Sequence, residues 1–358
     1  MEQYNELTIK KALQTKWAGK TVHFADETDS TNRWAKELAK EGAVHGTLCA
    51  ADFQSAGRGR FERRWSAGPG TSVMFTLLLR PQIRPEHAPM LTLVMGLSVA
   101  LAVQEMGYEV SIKWPNDVVI RKRKICGILT EMGLSGENID YVIIGTGINV
   151  GIREFPEDMK DKATSLCLEK RKEAAGGTET CPALTEEPGR PETCGTWTED
   201  RKRRETCRIR TEDPEKMEIC NMLTEESERQ ETGSTQAKKP ESGSADGRCA
   251  GQEALQKEDS FVEELPDRNE ILGRVLRHFE RCYEIFCADS SLSGLLQEYQ
   301  QLLANKDQPV RVLDKNAPYE GICLGINAAG ELLVKTEDGT VRTVNSGEVS
   351  VRGLYSYV

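Results

Sequence analysis

Three regimes of apolar and polar spacing divide this 358-residue chain. Between residues 21 and 168, short β-rich runs are mixed with helical periods. Thr21–Ala25, Thr47–Phe53, Ser72–Leu79, Val110–Trp114, Val118–Ile120, Ile125–Met132 and Tyr141–Val150 read as strands. Asp29-Ser30-Thr31 offers oxygen caps to a helix from Asn32 to Lys40, and Glu86–Met106 is a long helix with apolar positions three and four apart. Strands in succession after one long helix predict an α+β domain, a mixed β-sheet with helices on one side.

The second regime, residues 169–262, repeats every 13 residues. Glu179-Thr180-Cys181 recurs as Glu192-Thr193-Cys194, Glu205-Thr206-Cys207 and Glu218-Ile219-Cys220. Each unit has one or two large apolar residues, and Pro182, Pro188, Pro191, Pro214 and Pro240 interrupt helices. So little apolar surface does not offset the entropy of ordering, which predicts a disordered insertion. Helical spacing then returns over 263–306. Asp267 opens a helix carrying Ile271, Leu272, Val275, Leu276 and Phe279 as far as Phe286, and Leu292–Leu303 forms a second. From 307 to 358 the pattern turns to β, with runs Val310–Leu313, Tyr319–Ile326, Glu331–Thr336 and Thr340–Val344 between tight turns. That predicts a small SH3-like β-barrel.

Composition narrows the class. A net charge of -10 argues against a general nucleic-acid surface. Met1–Lys20 is polar and lacks a signal peptide, and the apolar run Met90–Val103 is too short to span a bilayer. Eleven cysteines without a secretory segment or zinc spacing predict a cytoplasmic protein with no structural metal.

The chemistry concentrates in two stretches. Gly57-Arg58-Gly59-Arg60-Phe61-Glu62-Arg63-Arg64-Trp65 places four guanidinium forks, suited to carboxylate or phosphate oxygens, on a glycine-hinged loop. Their mutual repulsion predicts mobility until an anion binds. Lys113-Trp114-Pro115-Asn116-Asp117 ends a strand and leads on to Lys124, with Gly127 behind it. Oxygens of Asn116 and Asp117 can hold ribose hydroxyls or Mg²⁺, although a plain Pro-Asn-Asp turn stays open. Lys124 is a snorkelling edge residue or an electrophilic ammonium. Ser30-Thr31-Asn32 is a helix cap or a polar clamp facing Gln54. Gly145-Thr146-Gly147-Ile148-Asn149 lacks the third glycine of a dinucleotide fingerprint.

In combination and in order, these motifs resemble the biotin protein ligases, over Val22–Leu168 and again from Leu265 to Arg352. The resemblance implies a class II synthetase-like catalytic domain, formed by 21–168 and completed by helices 263–306. It also implies a two-step reaction: biotin and Mg·ATP give biotinyl-5′-AMP, and the biotinyl group then passes to a lysine of a biotin carboxyl carrier protein. By this analogy Lys124 and Arg60 are catalytic. Ser30, Thr31, Asn32, Gln54, Arg58, Gly59, Arg60, Lys124, Gly127 and Gly145 hold biotin. Arg58, Arg60, Arg63, Trp65, Lys113, Asn116, Asp117, Lys124 and Asn149 hold the nucleotide, with Asp117 on its Mg²⁺. Two departures stand out. Only a linker-like segment, 1–20, precedes the catalytic domain, which points to a monofunctional ligase without DNA binding, monomeric or weakly dimeric and free of membranes. Glu62 stands where the loop usually carries glycine, so an impaired ligase that mainly retains biotin or adenylate is one alternative. A lipoate–protein ligase is another.

Overall fold

Aliphatic and β-branched runs between Val22 and Asn149 pair into one seven-stranded sheet in the computed structural model, which describes residues 3–169, 266–313, 318–345 and 350–353. Apart from Glu169, the predicted repeat insertion lies outside the described residues. The strands are β1 (Val22–Thr28), β2 (Thr47–Gln54), β3 (Ser72–Leu79), β4 (Val110–Lys113), β5 (Asp117–Ile120), β6 (Arg123–Ser135) and β7 (Asn138–Asn149), in spatial order β1-β2-β3-β7-β6-β5-β4. β1 and β2 are parallel, and every other neighbouring pair is antiparallel.

Helices lie on both faces of this sheet, not on one. A parallel β1–β2 pair requires a crossover, which α2 (Thr31–Lys40) supplies. Successive residues of the central strands then divide between two cores. Leu77, Leu79, Val142 and Ile144 join the larger one, whereas Leu78, Ile143 and Cys49 pack with Ala35 and Ala39 of α2. Both sides of these strands are apolar, so both are covered.

The opposite face carries α3 (Met90–Glu105) and α4 (Arg268–Asp289). The long helix begins later than its periodicity suggested, because Pro85–His87 forms a separate 3-10 turn ahead of Pro89. Nor does it present a single apolar face. Leu91, Leu93, Val94, Leu97, Val99 and Val103 are all buried, since Gly96, Ala100 and Ala102 make the remaining positions apolar too. A helix that is greasy all round is enclosed in protein. Ser98 keeps its hydroxyl satisfied on Val94 O at 2.7 Å.

Asp267 caps α4 by accepting from Asn269 N at 2.7 Å. Near the middle of α4, Glu280 accepts from the backbone N–H groups of Lys16, Trp17 and Ala18 at 2.9, 2.6 and 2.8 Å. This anchors the N-terminal segment, whose expected linker is in part the helix α1 (Glu6–Ala12), closed by a capping box between Asn5 and Thr8.

After α5 (Leu296–Leu302), five antiparallel strands follow: β8 (Pro309–Leu313), β9 (Tyr319–Ile326), β10 (Leu332–Lys335), β11 (Val341–Val344) and β12 (Ser350–Gly353). Their order is β11-β10-β9-β8-β12, a small SH3-like sheet domain. Its Val310, Val312, Cys323, Ile326, Leu332 and Val334 belong to the same hydrophobic cluster as α3 and α4. The indole of Trp114 crosses that junction, donating from Nε1 to Gly330 O at 3.0 Å.

Candidate active site

Two adjoining cavities open at the ends of β2, β6 and β7. The smaller is lined by Ser30, Thr31, Asn32, Gln54, Arg58, Gly127, Gly145 and Thr146 among others. The larger, of about 490 Å³, is lined by Arg63, Lys113, Asp117, Asn149 and further residues. Gly59, Arg60, Trp65, Asn116 and Lys124 border both. Every candidate residue named from the sequence therefore lines one cavity or the other. Arg58 touches only the smaller.

The smaller cavity is organised by a polar relay at the start of α2. Ser30 is the N-cap residue, yet its hydroxyl makes no cap bond, so the generic capping role does not hold. Thr31 donates from both its backbone N and its Oγ1 to Gln54 Oε1, at 2.8 and 3.1 Å. Thr76 of β3 donates to Asn32 Oδ1 at 2.7 Å, and Asn32 Nδ2 donates to Glu131 Oε2 at 2.9 Å. Both ends of the Asn32 amide are thus committed, which fixes its orientation. Gly145 has no room for a side chain, because a Cβ there would collide with Asn32 Oδ1. Thr146 Oγ1 and Trp65 Nε1 are buried without a hydrogen-bond partner. Buried polar atoms of this kind are costly unless a ligand satisfies them.

The arginine loop is less open than its charge implied. Trp65 N donates to Gly57 O at 2.9 Å and Gly59 N to Arg63 O at 2.7 Å, so its two arms pair through their own backbone. Phe61 takes the turn at the tip with φ 56 and stays exposed. Arg60 reaches inward and donates to Asn116 Oδ1 at 3.0 Å. Burial pulls the Arg60 pKa down, and so does neighbouring Arg63, while Asp117 pulls it back up. Burial disfavours the charged form and a nearby opposite charge favours it, so an anion reaching Arg60 would be stabilised there.

Lys124 Nζ lies 2.6 Å from Asp117 Oδ1. A β-hairpin brings them together: β5 pairs Asp117 with Gly127, three residues beyond Lys124. The ammonium also sits 5.8 Å from the Trp65 ring centroid. A side chain at Gly127 would strike Lys124 Nζ at 2.8 Å, and one at Gly147 would strike the Trp65 indole at 2.5 Å. Asn149 is held by donation from Nδ2 to Thr164 O at 3.1 Å. Trp114, by contrast, is core: it is 1% exposed and points toward the C-terminal sheet.

Sequence reasoning missed several groups that line the site or hold its lining residues. Thr76 and Glu131 lay inside runs that read only as strands. Phe155, Pro156, Met159 and Lys162 come from an irregular loop with no motif to signal it. Among the described residues no group of three or more His, Cys, Asp or Glu could hold a metal. Among the described residues that line the larger cavity, Asp117 is the one carboxylate.

The arrangement joins a narrow polar slot to a wide cationic cleft, with Lys124 and Arg60 at the border. Residues 24–149 match the model of the Biotin/lipoate A/B protein ligase family, and residues 307–352 match the Biotin protein ligase C terminal domain. The chain thus carries a segment similar to the catalytic domain of this family and a segment similar to the C-terminal domain of biotin protein ligases. It is 42% identical over 165 residues to the Bifunctional ligase/repressor BirA of Bacillus subtilis, which is 45% of this chain and 51% of that protein. It is 36% identical over 146 residues to the Biotin--[acetyl-CoA-carboxylase] ligase of Mycobacterium tuberculosis, covering 39% and 52%. The chain therefore spans about half the length of the curated relatives it matches. The biotin protein ligase from Aquifex aeolicus, solved with biotin and ATP, shares the fold with a TM-score of 0.58. Its identity is 24%, over 93% of this chain and 99% of that one.

Proposed function

We propose that this protein activates biotin with ATP and transfers it to a lysine of a biotin carboxyl carrier protein. The observation that carries this reading is the shared border of the two cavities. There Lys124 and Arg60 stand between a slot of neutral hydrogen-bonding groups and a cleft with further cations.

In this reading the smaller cavity takes the biotin ring. Ser30, Thr31, Gln54 and the unpaired Thr146 hydroxyl face it, Asn32 and Gly145 shape its floor, and the carboxylate points to Lys124. ATP occupies the larger cavity against Arg63, Trp65, Lys113, Asn116 and Asn149. Phe155, Pro156 and Met159 supply an apolar wall for the base. Asp117 would be the carboxylate that meets a Mg²⁺ carried in with the phosphates, since that ion commonly takes one or two carboxylates besides phosphate oxygens.

In the first step a biotin carboxylate oxygen bonds to the α-phosphorus while the bridging P–O bond breaks and pyrophosphate leaves. Two anions must touch, and the Lys124 ammonium with the Arg60 guanidinium offsets their repulsion. Asp117 keeps Lys124 aimed before substrates arrive. Arg58 and Gly59 close over the mixed anhydride. In the second step the carrier lysine nitrogen bonds to the acyl carbon, the bond to AMP breaks, and the amine proton passes to water. The six described cysteines are free thiols, which supports a cytoplasmic site of action.

Purified protein given biotin, Mg·ATP and a carrier domain should yield biotinylated carrier and release pyrophosphate only when biotin is present. Lys124→Ala should lower the rate of that release by about 10²–10³-fold, the usual loss for a preorganised charge at a developing anion. A rate within twofold of the unmodified protein would remove Lys124 from the mechanism. Efficient use of lipoate in place of biotin would reassign the substrate.

A further inference from the structure

Glu169 is a carboxylate with 1% of its surface exposed, and no step described so far uses it. Burying a carboxylate is expensive unless cations and donors surround it. Here Arg123 Nη2 donates to Glu169 Oε1 at 2.5 Å, and Thr164 Oγ1 donates to the same oxygen at 2.5 Å. Arg121 brings a second guanidinium, 3.7 Å from Oε2. Both arginines sit in the turn and first residue that lead into Lys124.

The segment fastened by this carboxylate is the one that holds Lys124 from behind. Lys124 N donates to Lys162 O at 2.8 Å and Thr164 N donates to Lys124 O at 2.9 Å, a short parallel bridge along the edge of β6. Asn149 is secured by the same strap through Thr164 O, and Cys167 N donates to Val150 O at 2.8 Å. One buried carboxylate thus ties together the backbone on both sides of Lys124 and the amide of Asn149. The Lys124 side chain itself is held by the Asp117 carboxylate and lies over the Trp65 ring.

The geometry points to Glu169 as a positioning residue for Lys124: through Arg123 and Thr164 it holds the 162–169 strap that fixes the Lys124 backbone at the border of the two cavities. This inference rests on the adenylation reading of the site. The carboxylate does not touch either cavity. It acts by denying Lys124 the freedom to move about an ångström away from the reacting oxygens, a displacement that can cost about a hundredfold in rate.

The test uses the full chain and reads biotin-dependent pyrophosphate release per folded molecule, with biotin affinity by calorimetry and thermal melting alongside. Glu169→Gln keeps the shape but loses the charge that orders Arg123. It should lower kcat for adenylation roughly tenfold, leave biotin affinity within twofold, and not be restored by raising the biotin concentration. Combined with Lys124→Ala it should add little, because both act on the same ammonium. Should Glu169→Gln fold poorly, Arg123→Lys examines the same link, with a smaller loss expected in the same parameter. Rates within twofold of the unmodified protein, or losses that multiply with those of Lys124→Ala, overturn the positioning role. An unmodified protein that releases no pyrophosphate with biotin would instead overturn the adenylation reading itself.

Discussion

Gly147 illustrates how much of this site depends on an absent side chain. It pairs with Gly127 across β6 and β7, and the Trp65 indole lies directly over it. Gly147→Ala would place a methyl 2.5 Å from Trp65 Cε2, so the indole must move. Overpacking of this kind costs about 1–3 kcal/mol. Taken from the closed site, that is about five- to 150-fold in the rate of pyrophosphate release. A steady-state assay with a thermal melt as control reads it; an unchanged rate would mean that Trp65 does not help form the site. At the same scale, His45 is a pH-sensitive contact remote from the chemistry. Its Nδ1 accepts from Arg80 N at 3.0 Å. Burial lowers its pKa below 6.5, and a protonated Nδ1 could not accept the Arg80 bond. A depressed folded-state pKa gives stability that is complete above the ordinary value of 6.5 and is lost as pH falls below it. Melting temperatures from pH 8 to pH 5 should therefore decline on the acid side. His45→Asn should flatten part of the decline, the remainder belonging to groups such as His278, whose pKa burial also lowers.

Among the elements, α4 does more than fill the outer layer. Glu280 gathers three consecutive backbone N–H groups, from Lys16 to Ala18, into one carboxylate. The held segment carries Trp17, which packs on Tyr283 at 5.2 Å between centroids and on His45 at 4.6 Å. Hydrogen bonds to a charged group contribute about 1.5–3 kcal/mol each, and their loss is partly recovered by water. Glu280→Ala should therefore destabilise the protein by about 2–4 kcal/mol, or roughly 5–15 °C in Tm for a domain of this size. Since neither cavity includes this residue, biotin affinity measured below the transition should hold steady. A matching collapse of biotin affinity would show that the N-terminal anchor reaches the site.

For the molecule as a whole, the C-terminal sheet is not an independent appendage. Its buried residues share a cluster with α3 and α4, and Trp114 spans the junction. Shared core couples unfolding, so calorimetry should record one cooperative transition for the two sheets. Trp114→Phe removes the donor to Gly330 O and leaves a buried carbonyl unpaired, at about 1–3 kcal/mol. That substitution should lower the single transition without splitting it. Two resolved transitions in the unmodified protein would contradict the shared core.

Period and turn chemistry made much of this legible from residues alone. Ser72–Leu79 and Tyr319–Ile326 were bounded correctly because short apolar or β-rich runs and their flanking turns are local signals. The arginine loop, the Trp-Pro-Asn-Asp turn and Lys124 were recognisable as charged groups in a fixed order. What spacing along the chain could not say was which face each helix would cover. The crossover from β1 to β2 puts α2, alone among the described helices, on its side, a consequence of strand pairing rather than of α2's own residues. Nor could it show that Ser30 leaves its cap bond unmade, that Glu131 orients Asn32, or that Glu169 stands behind Lys124. Those contacts join residues far apart in the chain or depend on an irregular loop. They exist only once the sheet has set the distances between its strands, because hydrogen bonds and ion pairs act over a few ångströms and sequence order does not encode those separations.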